Sequence, residues 1–186
     1  MILHLADYVQ AVRDRCPIFE NRVAGAAEWA ALSLLEEEAP DYPAAYVCLE
    51  NEQGREANLN CEYKQSVDVS LAVIVVIGIA YQDDEHRGQA ALLQVDTIRE
   101  QLFKALLFWT PAPGILEKLS FDGAEVIRLD AARMVYRFDF KTKYDLGWED
   151  TYQSVDYASY PPFKVADLDL NSNEVTLNGK ILLKQE

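Results

Sequence analysis

Asp83, Asp84, Glu85 and His86 put four potential metal ligands side by side in this 186-residue sequence. Adjacent residues at a helix start project in different directions, however, and acids in a first turn already complement the positive end of the helix dipole. Capping is the better reading. His4, the other histidine, sits on an opening helix with no apparent partner. Cys48 and Cys61 can face each other across a hairpin, but no histidine spacing completes a zinc site, so they read as small buried hydrophobes. With Cys16 they make an odd number without a C-x-x-C pair, which suits a reducing compartment. No G-x-S-x-G, P-loop, G-x-G-x-x-G or H-E-x-x-H motif occurs. Carboxylates are so abundant that a pair suited to glycoside hydrolysis has no meaning until positions are known. The expectation is a non-enzyme: no catalytic residues, no cofactor and no metal.

Charge narrows the partners. The formal net charge is −14 and the pI about 4.5, so phosphate backbones and anionic membrane surfaces would repel the chain. Half of the residues are apolar, enough for a core and against general disorder. The most apolar stretch, Leu71 to Tyr81, is too short to span a bilayer as a helix. Met1 to Val12 contains Asp7 and no basic cluster before an apolar run, so no signal peptide is expected. Protein partners, cationic ligands, divalent metals or a surface that DNA passes without sticking remain, in a cytoplasmic setting.

The elements that must position these groups follow from periodicity. Ile2, Leu5, Val9 and Val12 have helical spacing, and Cys16-Pro17 stops that helix. A second helix is expected within Ala24 to Glu38, with Ala27, Ala30, Ala31, Leu34 and Leu35 buried and Asn21 as its cap. Glu36, Glu37 and Glu38 crowd its negative end, as a solvated terminus or as an acidic patch for a basic partner. Ala44 to Leu49 reads as a strand, and Glu50 to Asn60 as a polar loop. Gln65 to Tyr81 alternates at first and is then apolar throughout, as in a strand that enters a core covered on both faces. Ala91, Val95, Ile98, Leu102, Ala105 and Trp109 mark one face of a long helix over Arg87 to Leu107. Leu119 to Phe121 and Ala124 to Leu129 read as two strands around an Asp122-Gly123 turn, and Met134 to Tyr144 as a clean alternating strand.

From Asp145 the pattern changes. Gly147 to Pro162 has no regular period, and a hairpin is expected at Asn178-Gly179. The fold class is therefore α+β: a mixed or antiparallel sheet packed against two or three helices, with a C-terminal β-rich arm. The expected division is a core of 1–144 and an extension of 145–186. That arm either docks on a neighbouring subunit or packs on its own domain.

Several stretches, taken in order, resemble the tail terminator proteins of long-tailed bacteriophages and prophages, the group around minor tail protein U. They are F-E-N-R-V-A-G-A-A-E-W-A-A-L at Phe19 to Leu32, P-A-A-Y-V at Pro43 to Val47, and Gln65-Ser66-Val67 before the long apolar strand. L-L-F-W-T-P at Leu106 to Pro111 and Leu119-Ser120-Phe121-Asp122-Gly123 complete the series. Phe108 departs from the pattern, standing where a glycine is expected before the tryptophan, and 145–186 has no counterpart.

The resemblance implies a virion structural protein, assembled in the host cytoplasm. It would form a hexameric ring that caps the tail tube, stops its polymerisation and offers the head, through a neck or head-completion protein, a surface for joining. Its partners would be further copies of itself, the tail tube protein, the neck protein and, in a contractile tail, the sheath. DNA would pass through an acidic lumen without specific binding, and Glu50, Glu52, Glu56 and Glu62 are the acidic loop candidates for that wall. Trp109, Pro111, Trp148, Tyr152 and Tyr157 are the candidates for subunit or tube interfaces, with core packing as the other reading of Trp109. Another tail-tube, neck or baseplate ring component, a binding module for a peptide or small ligand, and an acid-dependent enzyme are the remaining readings.

Overall fold

The computed structural model describes residues 3–34, 42–58, 63–79, 87–111, 117–129, 132–159, 165–171 and 176–182. Helix α1 (Leu5–Arg15) turns Tyr8, Ala11 and Val12 inward, with Asp7 in its first turn and Arg13 and Arg15 in its last complementing the dipole. It stops at Cys16, and a 3-10 turn follows at Pro17–Phe19. Glu20 and Asn21 then take left-handed φ values of 48° and 68° and reverse the chain. Asn21 is thus a turn residue and not the expected helix cap.

A short strand that periodicity did not reveal, β1 (Val23–Gly25), comes next. Three residues are too few to show a period; parallel pairing with Ala45–Val47 is what makes them a strand. Helix α2 (Ala26–Leu34) follows directly. Its start is held by Glu28, whose carboxylate accepts a hydrogen bond from the Gly25 N–H at 3.2 Å. Ala27 and Ala30, expected inside, are exposed, and Trp29 packs against the sheet instead, its ring 5.6 Å from that of Tyr46. Alanines favour a helix without choosing its face; the large ring makes that choice. Glu36, Glu37 and Glu38 lie outside the described residues.

Strands β2 (Ala44–Gly54), β3 (Gln65–Gly78), β4 (Ser120–Leu129) and β5 (Arg133–Leu146) complete a five-stranded sheet in the order β1-β2-β3-β5-β4. Only the β1–β2 pair is parallel. This is the mixed sheet of the expected α+β class. β3 sits at its centre. Val67, Val69, Leu71, Val73, Val75 and Ile77 face one core with Phe138 and Phe140, beneath α1 and α3 (Arg87–Leu106). Ile74 and Val76 face a second, smaller cluster with Tyr46 and Val135, against which Trp29 packs. Both faces of the Leu71–Ile77 run are therefore covered, which is why alternation vanishes there. In α3 the expected stripe of Ala91, Val95, Ile98, Leu102 and Ala105 is buried. The acids Asp83, Asp84 and Glu85, with His86, lie outside the described residues.

Three local expectations give way. Glu50–Gly54 belong to β2 and are not a loop, because Asn51–Gly54 pair with Val67–Ser70 of β3 and Glu50 is bulged between Leu49 and Asn51. Asp122-Gly123 is not a hairpin turn: β4 is one strand, and Asp122 is the extra residue of a β-bulge between Phe121, opposite Phe140, and Gly123, opposite Asp139. Asn178-Gly179 likewise lies within β7 (Thr176–Leu182), opposite Asp169 and Leu168 of β6 (Val165–Asn171). Turn-forming dipeptides state a local preference, and pairing along a whole strand outweighs it.

The stretch after β5 also holds more structure than its sequence shows, a 3-10 turn at Trp148–Asp150 and helix α4 (Tyr152–Ser159). The chain forms two compact units, Met1–Asp150 and Thr151–Glu186. No described helix is long and apolar enough to cross a membrane.

Candidate functional site

The far half of the β2–β3 ladder carries the acidic candidates. A bulge interrupts β2 between Leu49, opposite Leu71, and Asn51, opposite Ser70, so Glu50 is the unpaired extra residue. Residues two apart on a strand share a face; the bulge at Glu50 breaks that rule for Glu50 and Glu52. Glu50 pairs with Arg137, which also donates to Asp139 at 2.7 Å. Glu52 instead accepts from the Tyr144 hydroxyl at 3.3 Å, on the face that carries the main core. The two carboxylates thus serve opposite faces of the sheet. Glu56 is exposed beyond the strand end, and Glu62 lies outside the described residues.

Beside them, cross-strand rows build a polar hollow of about 540 Å³. One row runs Asn51, Ser70, Lys141, Ser120 and the next Gln53, Asp68, Lys143. Three of its charges meet partners of opposite sign across these rows. Arg55 grips Asp68 at 2.6 and 3.0 Å, Lys141 reaches Asp122 at 2.8 Å, and Lys143 reaches Glu117 at 3.5 Å. Hydrogen bonding from Arg55 lowers the pKa of Asp68. Ser66 donates to Asp145 at 2.6 Å and, ahead of Lys64, lowers its pKa. A general acid at neutral pH needs a carboxyl pushed upward. Asp68 and Asp145 are pushed the other way.

Among the described residues no group of three or more His, Cys, Asp or Glu side chains is placed to hold a metal ion. Cys16 and Cys48 are buried free thiols, and burial pushes the Cys16 thiol up to about 12, far from a reactive thiolate.

The aromatic candidates divide. Trp109 is half-buried just past α3, edge-on to Tyr8 at 5.5 Å, with the Arg15 guanidinium 4.5 Å over its ring. It lines a shallow hollow of about 270 Å³ with Pro111, Asp7 and Asp14, so the structure brings Trp109 and Pro111 together. Trp148 is 37% exposed and Tyr152 80% exposed. Tyr157 lies in α4, its side chain outside the description.

Two apolar features had no place among the candidates. Phe108 is 75% exposed and holds a left-handed φ of 60°. Its N–H donates to Leu119 O at 2.9 Å, and the Lys118 ammonium lies over its ring. That backbone is what a helix C-cap demands and what glycine adopts at least cost. The mismatch at 108 was visible in the sequence, although its cause was not. The other feature is the end of β4, where Val126, Ile127 and Leu129 are all exposed.

Paired charges, buried thiols and aromatic rings at the surface are thus carried on a mixed-sheet domain of the α+β class. The family model described as phage tail terminator protein matches residues 1–151. The chain belongs to that family and is a structural component of a phage tail. No curated protein matches it.

Proposed function

We propose that this chain is a non-enzymatic ring protein of the virion tail. Copies of it, most simply six, close on the last disc of the tail tube, halt its polymerisation and present the surface to which the neck of the capsid attaches. The observation that carries this reading is the family match over 1–151, which spans the whole five-stranded sheet and both long helices. Its partners are then further copies, the tube protein, the neck protein and, in a contractile tail, the sheath.

The charge supports the reading. A net charge of −14 per copy, repeated around a ring, repels DNA and lets it slide without sticking. Glu56, exposed beyond the end of β2, is one candidate for the wall of such a lumen; Glu62 is another. Trp109, Pro111, Trp148, Tyr152 and Tyr157 supply contact area, and a head-to-tail ring buries different patches on the two sides of each subunit. Assembly takes place in the host cytoplasm, and 145–186 acts as an extension beyond the shared core.

The test adds the purified chain to polymerising tail tube protein and measures tube length by negative-stain microscopy. The expected result is tubes that stop growing and carry a capping disc with a central hole. Tubes that grow as in its absence, with no added density at their ends, refute the reading.

A further inference from the structure

Strand β4 closes one edge of the sheet, and it is exposed in a way no inner strand is. Eight of its ten residues are exposed. The helical layer reaches it at its start, where Phe103 packs on Phe121 at 4.9 Å. Towards its end Val126 is 48% exposed, Ile127 43% and Leu129 66%. Asp122, Glu125, Arg128 and two bulges blunt this edge against plain strand pairing, but they leave the apolar side chains at its end open to water, a surface that another chain can cover.

The same chain carries the opposite half of such a contact. In the β6–β7 hairpin, Leu170 is opposite Leu177, Leu168 opposite Gly179 and Ala166 opposite Ile181. These positions alternate along both strands, so they share one face, while Asp167, Asp169 and Asn171 with Thr176, Asn178 and Lys180 share the other. One row of positions is thus aliphatic and the other polar, except for the Val165–Leu182 pair at the open end of the hairpin. A two-stranded hairpin is marginal in water unless its apolar face is covered. With seven residues per strand, it fits the ten residues of β4.

We infer that the β6–β7 hairpin of one copy covers the exposed apolar end of β4 on the next copy, making the C-terminal hairpin a strap between neighbouring subunits. This rests on the ring reading and adds the two surfaces that meet. The contact is head-to-tail, since donor and acceptor differ, and such contacts close rings. Burial of Val126, Ile127 and Leu129 against the aliphatic hairpin face supplies the driving force, so the contact is expected to survive high salt.

The test uses the full chain with a photo-cross-linking amino acid in place of Val126, mixed as nitrogen-14 and nitrogen-15 preparations. Cross-linked peptides are identified by mass spectrometry. The expected products join the 126 peptide of one isotope to 165–182 of the other. Products joined only within one isotope, joined elsewhere, or absent altogether overturn the inference. Alongside, Leu129→Asp on the acceptor and Leu168→Asp on the donor should each weaken self-association about tenfold or more by sedimentation equilibrium. Because Leu129 is already in water in the isolated subunit, its replacement should leave the melting temperature nearly unchanged. Capping discs that form on tubes while the cross-links fall elsewhere sink the strap and spare the ring; uncapped tubes count against the ring itself.

Discussion

Phe108 shows how much a single backbone position can decide. A left-handed conformation costs a non-glycine residue roughly 1–2 kcal/mol, and the Lys118 contact over its ring returns about 0.5–1. Phe108→Gly should therefore raise stability by about 0.5–1 kcal/mol, read as a higher urea midpoint. Phe108→Ala keeps the strained φ and should show no gain; equal midpoints for the two variants would refute this account.

The titrating groups make a second prediction at this scale. Burial, ahead of the Asp7 charge, pushes the Tyr8 phenol up to about 12 from 10.0, and burial pushes the Cys16 thiol up to about 12 from 9.0. Both are neutral when protonated, so the unfolded chain loses these protons first, and stability should fall as pH climbs from about 9 toward 12. The lowered pKa of Asp68 and of Asp145 acts at the other end. Their contribution is present above the unfolded carboxylate range near 4 and is lost as pH falls through the lower folded values. Tyr8→Phe should flatten the alkaline limb and Ser66→Ala the acid limb, both read from unfolding midpoints against pH.

At the level of elements, the bulge at Glu50 is the informative case. Leu49 and Asn51 face consecutive partners on β3, so the ladder would close without the residue between them. Deleting Glu50 should leave every other pair in register and cost about 1 kcal/mol, the loss of one partner of a half-buried Arg137. A cooperative melt with that small loss is the expected outcome; a collapsed or molten product would show that the bulge holds the strand together. Gly78, at the end of β3, is the opposite case. A Cβ there would run into the Tyr42 side chain, coming within 2.9 Å of its Cγ. Gly78→Ala should destabilise by about 1–3 kcal/mol, measured by urea unfolding.

On the scale of the whole molecule, charge and apolar surface act against each other. Copies of net charge −14 repel, while the exposed ends of β4 and the aromatic rings attract. Salt screens the first term and leaves the second. Raising ionic strength from about 0.05 M to about 0.5 M, where screening acts within a few ångströms, should therefore strengthen self-association. Sedimentation equilibrium would read this as a rising weight-average mass, and a falling mass would mean that ion pairs hold the copies together.

Much was legible in the sequence: α1, α3, β3 and β5, the α+β class, the family resemblance and the sign of the surface. Those elements are long, and one face or both faces of each are buried, so side-chain periodicity records them directly. The acidic and aromatic candidates could be named but not arranged. Only the tertiary structure decided that Glu50 and Glu52 serve opposite faces, that Asp122-Gly123 and Asn178-Gly179 lie inside strands, and that Val23–Gly25 is a strand at all. Each of these depends on a partner strand distant in sequence, and pairing along a full ladder overrides what two or three residues prefer by themselves.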